Sequence, residues 1–168
     1  ALITALYANP NGIYRMSPDI EGLVQTSNNT ARVLLKDGEL TILCLTRSSV
    51  ESEKMDLARE IARNFESIGC VVDCTGSYPG WTPNPKSAIL TTMTDLYRKL
   101  FNGEPRVNAC HAGLECGILG TNYPEMELIS FGPNIRGAHS PDEKTQISSV
   151  KKSWDFFLAT LENIPNVD

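Results

Sequence analysis

A run of prolines, glycines and aromatic residues divides this chain into two parts and limits its possible folds more than any other feature. Residues 75–86 read TGSYPGWTPNPK. Proline cannot donate a backbone hydrogen bond and glycine loses the most conformational freedom on folding, so such a stretch favours a connector over a helix or strand. We therefore predict a boundary here, between an α+β unit and an α/β unit.

The part before the connector combines a hairpin with one amphipathic helix. Asp37 and Gly38 are the residue pair that a tight β-hairpin turn favours, whereas residues 1–22 are predicted to be irregular. Apolar residues then recur at helical spacing, which predicts a helix packed on the sheet. The predicted elements are strands at 23–35, interrupted by polar residues 26–30, at 40–46 and at 70–74, and a helix at 52–68 with Met55, Ala58, Ile61, Ala62, Phe65 and Ile68 on its buried face.

The part after the connector alternates helices with short strands, a pattern that implies a parallel α/β sheet. It offers two clear strands, which are too few for an independent doubly wound domain. The predicted elements are helices at 85–101, around 118–119 and from Pro141 onward, and strands at 106–110 and 126–131. The last helix carries an apolar stripe at helical spacing that comprises Ile147, Val150, Trp154, Phe157, Leu158 and Leu161.

His139 ends a glycine-containing loop directly before a predicted helix start. Ser140 suits the N-cap position, Pro141 the first helical position and Glu143 the third, which completes a capping box. A histidine held at such a junction can be presented to a metal ion or a substrate. A surface histidine that precedes a helix by chance is the alternative, and the local chemistry leaves both open.

The composition indicates a folded protein and excludes several classes. Of the 168 residues, 41% are hydrophobic and 21% charged, which supports a core rather than disorder. The net charge of −5 argues against nucleic-acid binding, and no apolar run is long enough to span a membrane. The opening residues ALITAL lack the basic flank of a signal peptide. Five cysteines without the spacing of a zinc ribbon or redox motif indicate reduced thiols in a cytoplasmic protein.

Polar residues in the first part are candidates for substrate contacts. Arg47 ends an apolar strand and precedes two serines. A guanidinium at this place can bind a carboxylate with two hydrogen bonds, or it can be a solvated charge at a strand end. Asn28 and Asn29 can hydrogen-bond a substrate, although turn-forming asparagines are the commoner explanation.

His111 and Glu115 stand at either end of a short loop in the second part. His111 follows a predicted strand, and the carboxyl ends of strands in α/β sheets are where ligands bind. Cys110 and His111 would point to opposite faces of that strand, which argues against a nucleophile–base pair. Glu115 can contact a substrate amine or a metal, or it can interact with a helix dipole. With two histidines and no His-x-Asp or Glu-Glu pair, the chain cannot build a complete two-metal site.

Five segments together resemble the Xaa-His dipeptidases, also called aminoacyl-histidine dipeptidases, peptidase D or bacterial carnosinases. The resemblance follows nearly the whole chain in order. The segments are residues 9–17 (NPNGIYRMS), 46–50 (TRSSV), 78–81 (YPGW), 110–117 (CHAGLECG) and 132–143 (GPNIRGAHSPDE).

This resemblance implies a fold and a division into domains. Family members are longer, and a lid domain is inserted into their α/β dizinc-peptidase catalytic domain. The class implied is α/β overall. Residues 1–76 would form the α+β second half of the lid, or dimerisation, domain. Residues 77–168 would form the C-terminal segment of the catalytic domain.

The resemblance also implies roles for individual residues. His139 matches the last zinc ligand, and Arg47 matches the lid arginine that binds the carboxylate at the substrate's C-terminus. Either Asn28 or Asn29 matches a lid asparagine near the scissile carbonyl. The substrate loop would run from His111 to Gly117, where relatives carry Gly-Gly-Thr-Asp or similar; within it, Gly113 takes part and Glu115 takes the acidic place.

The implied enzyme hydrolyses carnosine-like dipeptides with two zinc ions, other divalent metals being alternatives. No catalytic residue lies within this chain, because the catalytic glutamate is expected outside it, so the chain alone is expected to be inactive. The expected partners are a dipeptide substrate and a second copy bound through the lid, with no nucleic acid and no membrane, in the cytoplasm. The competing hypothesis is a stand-alone α+β binding or dimerisation module, because an open sheet edge readily pairs with a copy of itself.

Overall fold

The computed structural model describes residues 1–111 and 114–164. The chain forms two compact units, one from the described parts of Ala1–Pro83 and Asn108–Tyr123 and the other from those of Asn84–Val107 and Pro124–Asp168. The elements in chain order are α1 (Leu2–Ala8), β1 (Gly12–Met16), β2 (Val24–Lys36), β3 (Glu39–Ser48), α2 (Glu51–Glu66), α3 (Ala88–Phe101), α4 (Glu115–Asn122), β4 (Ile135–Arg136), β5 (Lys144–Thr145) and α5 (Ile147–Glu162). This is the mixed α/β class that the sequence predicts.

The first unit is built on an antiparallel sheet with the strand order β1-β2-β3. Asp37 and Gly38 close the β2–β3 hairpin with left-handed φ angles of 53° and 82°. A two-residue hairpin turn requires such angles, so Lys36 pairs directly with Glu39 and the predicted turn is confirmed. The prediction that residues 1–22 are irregular was wrong, because α1 forms there and β1 gains its strand structure by pairing with β2.

The polar residues at 26–30 do not interrupt β2, contrary to prediction. Thr26 is fully buried, and its hydroxyl shares a 2.8 Å hydrogen bond with the Ser48 hydroxyl. The same hydroxyl donates to the Glu53 carboxylate of α2 at 3.0 Å. Because buried hydroxyls cost little once they are hydrogen-bonded, the strand can carry polar residues on its covered face.

Helix α2 supplies most of the core of the first unit. Ile61 and Phe65 are buried as predicted, but Met55 is 36% exposed and Leu57, at 1% exposed, takes the inward position instead. The stripe at helical spacing is therefore present, although the prediction placed it partly on the wrong residues. The core cluster consists of Ala5, Leu57, Ile61 and Phe65, with Ile42 and Cys44 of β3 packed against it.

The segment Tyr78–Trp81 is attached to the start of α2 by specific hydrogen bonds. Buried Lys54 donates to the Tyr78 carbonyl oxygen, and it forms an ion pair with the Glu51 carboxylate at 2.7 Å. That carboxylate also accepts from the backbone N–H of Gly80 at 2.7 Å. A Cβ at Gly80 would lie 2.8 Å from the Ser49 carbonyl oxygen, so glycine is required for this close approach.

In the second unit, helices α3 and α5 pack together through aromatic rings. Met93 and Leu96 are the buried apolar residues of α3. The Glu127 carboxylate accepts hydrogen bonds from the first backbone N–H groups of α3, at Ala88 and Ile89, each at 3.0 Å. The rings, whose centroids are 4.9 to 6.1 Å apart in edge-on pairs, belong to Tyr97, Phe101, Phe131 and Phe156.

Three predicted strands, at 70–74, 106–110 and 126–131, take no regular secondary structure. A strand needs a neighbour to complete its backbone hydrogen bonds, and none of the residues that the structure describes pairs with these segments. The strands of the second unit are β4 and β5, which form a two-residue antiparallel ladder. The expected parallel sheet is therefore not formed within the described residues.

The apolar stripe predicted on the last helix is present on α5, where its side chains are exposed. Ile147 is 88% exposed and Trp154 58%. The packed side of the helix carries Ser149, Phe156 and Thr160. Periodicity identified an apolar face correctly but not the face that contacts α3. Over the described ranges, no helix has both the length and the apolar character that a membrane crossing needs.

Candidate functional site

Arg47 lies on the face of the sheet opposite α2. It pairs with Ser27 of β2, which in turn pairs with Ile13 of β1. Cross-strand partners share one face, and the adjacent pair Thr26–Ser48 points the other way, toward α2. Arg47 and Ile13 are both exposed. We call the row Ile13–Ser27–Arg47 the open face; it presents a guanidinium, a hydroxyl and an apolar side chain together.

Asn28 and Asn29 lie on opposite faces of β2. Asn28 is 2% exposed; its side-chain nitrogen donates to the Pro10 carbonyl at 2.7 Å, and its side-chain oxygen accepts from the Thr46 hydroxyl at 3.0 Å. Asn29 is exposed and pairs with Leu45, so it shares the open face with Arg47. Asn28 thus stabilises the sheet, while Asn29 is available to a ligand.

His111 is joined to the open face by a hydrogen bond with Ser27. The His111 Nε2 atom and the Ser27 hydroxyl share a hydrogen bond of 2.8 Å, in which either atom can donate. Burial, and then the Arg47 guanidinium nearby, lower the pKa of His111 below its ordinary value of 6.5. The imidazole is therefore mainly neutral at pH 7, with one nitrogen engaged by Ser27 and Nδ1 as its other polar atom.

The structure describes part of the remaining predicted substrate loop. Gly113 lies outside the described residues. Glu115 is the exposed first residue of α4, where a carboxylate also interacts favourably with the helix dipole. Gly117 is buried against the connector, since a Cβ there would lie 2.6 Å from the Pro79 carbonyl oxygen.

His139 lies in the second unit, in the loop that joins β4 to β5. The helix predicted from Pro141 onward begins only at Ile147, because the residues expected to cap it close the loop instead. The Ser140 hydroxyl donates to the Gly137 carbonyl at 2.7 Å, and the chain returns as β5. The Glu143 carboxylate accepts a hydrogen bond from the backbone N–H of His139 at 2.8 Å.

The backbone of His139 is strained and its side chain is exposed. Its φ is 64°, a left-handed value that few residues other than glycine adopt. Such a conformation persists only where its surroundings hold it, and it is often found at functional sites. The loop thus presents the imidazole of His139 outward.

A complete metal site is not assembled in the part of the chain that the structure describes. No group of three or more His, Cys, Asp or Glu side chains there could hold a metal ion. A catalytic zinc ion takes about three protein ligands. His139 therefore fits as one donor of such a site, and the described residues do not supply the others.

Sequence reasoning missed two residues of this arrangement. Ser27 was placed in a supposed break of the strand, and Glu143 was assigned to a helix cap. Had residues 26–30 been predicted as a continuation of the strand, Ser27 would have fallen on the face opposite Thr26, although its pairing with Arg47 would still not have followed. No sequence pattern separates a capping box from a loop that uses the same side chains.

The chain matches known proteins over almost its entire length. Residues 10–163 match the profile of the peptidase family M20/M25/M40. The chain is 39% identical over 163 residues to the cytosol non-specific dipeptidase of Escherichia coli (strain K12), an alignment that covers 97% of this chain and 34% of that protein. It matches the crystal structure of aminoacylhistidine dipeptidase from Vibrio alginolyticus with a TM-score of 0.86 and 40% identity, covering 99% of this chain and 34% of the other. The chain thus spans about a third of the length of these relatives.

Proposed function

Because this chain belongs to the peptidase family M20/M25/M40, we propose that it is the C-terminal part of a zinc-dependent dipeptidase that hydrolyses Xaa-His dipeptides. The observation that carries the proposal is the similarity to two dipeptidases over 97% and 99% of the chain. One relative is named a non-specific dipeptidase and the other an aminoacylhistidine dipeptidase. The choice of Xaa-His substrates therefore rests on the five motif segments.

In this proposal, residues 1–76 are the second half of a lid and residues 77–168 close the catalytic domain. The protein acts as a homodimer through the lid, and the feature that favours this is the edge strand β3, which exposes Leu43 and Leu45. The cytoplasm is the proposed location, as the name of the Escherichia coli relative states for that protein.

The substrate is held by the first unit. Arg47 binds the C-terminal carboxylate of the dipeptide, since it is an exposed guanidinium beside a neutral imidazole and a hydroxyl. Asn29 is better placed than Asn28 to contact the substrate, because the polar atoms of Asn28 are already hydrogen-bonded. The loop of His111, Gly113 and Glu115 completes the substrate contacts.

His139 supplies one zinc ligand, and the remaining ligands and the catalytic glutamate come from outside this chain. Zinc, when bound, would activate water for attack on the peptide carbonyl. The role of this chain in the reaction is to present His139 to the metal and to bind the carboxylate end of the substrate.

The test uses the whole protein that carries this chain. Bound metal is removed with a chelator, zinc is added back, and histidine release from carnosine is followed beside a panel of dipeptides that lack histidine. We expect hydrolysis that zinc restores and that is fastest for Xaa-His substrates. Equal kcat/KM values across the panel would contradict the Xaa-His preference, and an absence of dipeptide hydrolysis would contradict the function.

A further inference from the structure

The open face offers more than one group to a carboxylate. Ser27 and Arg47 are direct cross-strand partners, so their Cβ atoms are about 4.5–5.5 Å apart. The His111 ring is bonded to Ser27 and is close enough to Arg47 for the guanidinium to lower its pKa. A hydroxyl, an imidazole and a guanidinium therefore converge on one small area.

The hydrogen-bonding capacity of His111 is only half used by Ser27. A neutral imidazole has one donor and one acceptor nitrogen. When the Ser27 hydroxyl donates to Nε2, the proton of the ring is on Nδ1, which can then donate to an anion. A carboxylate has two oxygens and about four lone-pair positions, so it can accept from Arg47 and from His111 at the same time.

We propose that Ser27 is a positioning residue that orients His111, and that His111 and Arg47 together bind the C-terminal carboxylate of the peptide substrate. This inference rests on the proposed peptidase function and adds to it a second arm of the carboxylate site. Arg47 supplies the charge, His111 supplies a directed hydrogen bond from Nδ1, and Ser27 holds the ring by donating to Nε2 in the tautomer that leaves Nδ1 as the free donor.

The contacts of the open face support this division of roles. Neither Ser27 nor His111 contributes to the core cluster of the first unit. The stabilising polar contacts of β2 lie on its other face, at Thr26 and Asn28. A serine on the uncovered side that engages a half-buried imidazole next to an arginine is therefore placed for ligand binding rather than for sheet stability.

The test compares a dipeptide with its C-terminal amide in the whole protein. The amide keeps the scissile bond but removes the carboxylate, so a group that binds the carboxylate discriminates between the two substrates. For His111→Ala we expect kcat/KM to fall about tenfold on the dipeptide and little on the amide, since a hydrogen bond to a charged group is lost. Ser27→Ala should give a smaller loss of the same selectivity, and Ser27→Thr, which retains the hydroxyl, should restore it.

Arg47→Ala and Arg32→Ala separate the possible outcomes. Arg32 is an exposed arginine farther along β2, so Arg32→Ala controls for a general loss of positive charge. If Arg47→Ala discriminates between dipeptide and amide but His111→Ala and Ser27→Ala do not, the second arm is refuted while the proposed function stands. If instead Arg47→Ala lowers kcat/KM equally on the dipeptide and on its amide, Arg47 does not bind the substrate carboxylate and that part of the proposed function is wrong. Equal losses on both substrates for His111→Ala would mean a structural role and would likewise overturn the inference.

Discussion

The Glu143 carboxylate accepts a hydrogen bond from the backbone N–H of His139 at 2.8 Å, and so it holds a histidine whose φ is 64°. Because His139 is proposed to be a zinc ligand, we expect Glu143→Ala to loosen this loop and to weaken zinc binding by the whole protein about tenfold, as the loss of a group that supports a metal ligand typically does. Competition with a chelator measures the affinity. Asp142→Ala removes the same charge from the same loop, and an equal loss in that variant would contradict the positioning role of Glu143.

Arg47→Ala is expected to act mainly on KM. The proposed contact between Arg47 and the substrate carboxylate would be made in the ground state and in the transition state alike, so its loss should raise KM and leave kcat nearly unchanged. We expect KM for the dipeptide to rise about 10- to 100-fold, the range for hydrogen bonds to charged groups. Steady-state kinetics of the whole protein measure both constants. A collapse of kcat with KM unchanged would show that Arg47 does not hold the carboxylate.

The residue of β2 that pairs with Arg47 shows how far the strand pairing can be predicted from the sequence. The Asp37-Gly38 turn identifies the hairpin, and counting outward from Lys36 opposite Glu39 would place Asn28 opposite Arg47. A bulge between Thr30 and Arg32 shifts the register by one residue and brings Ser27 there instead. A one-residue shift moves every later side chain to the other face. Because no residue type marks this bulge, the open face could not be assigned from the sequence.

Elements with local causes were predictable, and elements that depend on distant neighbours were not. The helices α2 and α3 follow from periodicity within their own residues. Residues 126–131 have the apolar character of a strand but pair with no other described residue, so they remain irregular. His139 was identified as a presented side chain, but the loop that presents it depends on how Ser140 and Glu143 are used.

Gly80→Ala is expected to destabilise the first unit. The added Cβ would lie 2.8 Å from the Ser49 carbonyl oxygen and 2.9 Å from the Glu51 backbone nitrogen, so backbone must move. Overpacking of this kind costs about 1–3 kcal/mol. Urea unfolding of the chain, followed by circular dichroism, measures the change. Gly132→Ala is the control, because nothing lies within 4 Å of a Cβ built there; equal midpoints for the two variants would contradict the close approach at Gly80.

Glu53 is expected to make stability depend on pH. Burial alone raises the pKa of Glu53, but hydrogen bonds from Gln25, Thr26 and Arg15 outweigh it and leave the pKa below the ordinary value of 4.5. The unfolded state then binds the proton more readily, so this contribution to stability is present above pH 4.5 and is lost as the pH falls below it. Urea midpoints between pH 7 and pH 3 should fall less steeply for Glu53→Gln than for the wild type. Glu39→Gln, at the exposed start of β3, is the matched control for removal of one carboxylate; a wild-type slope in Glu53→Gln would refute the assignment.

The 168-residue chain alone is expected to have no dipeptidase activity. Zinc catalysis needs about three protein ligands, and a two-metal site needs ions about 3.5–4 Å apart. Over residues 1–111 and 114–164 no such cluster exists, so His139 can offer only one donor. The exposed apolar stripe of α5 should also make the isolated chain self-associate, which light scattering would detect.

The assay for that inactivity incubates the purified chain with zinc and carnosine and follows histidine release. General base catalysis alone is worth about 10²–10⁴ in rate, and the proposed base lies outside these residues, so release should stay at background. His139→Ala serves as the matched control, because a contaminating peptidase would give the same rate in both preparations. Turnover that survives further purification and disappears in His139→Ala would mean that these residues contain a complete catalytic site, and the proposal that the chain is one part of a longer peptidase would fail.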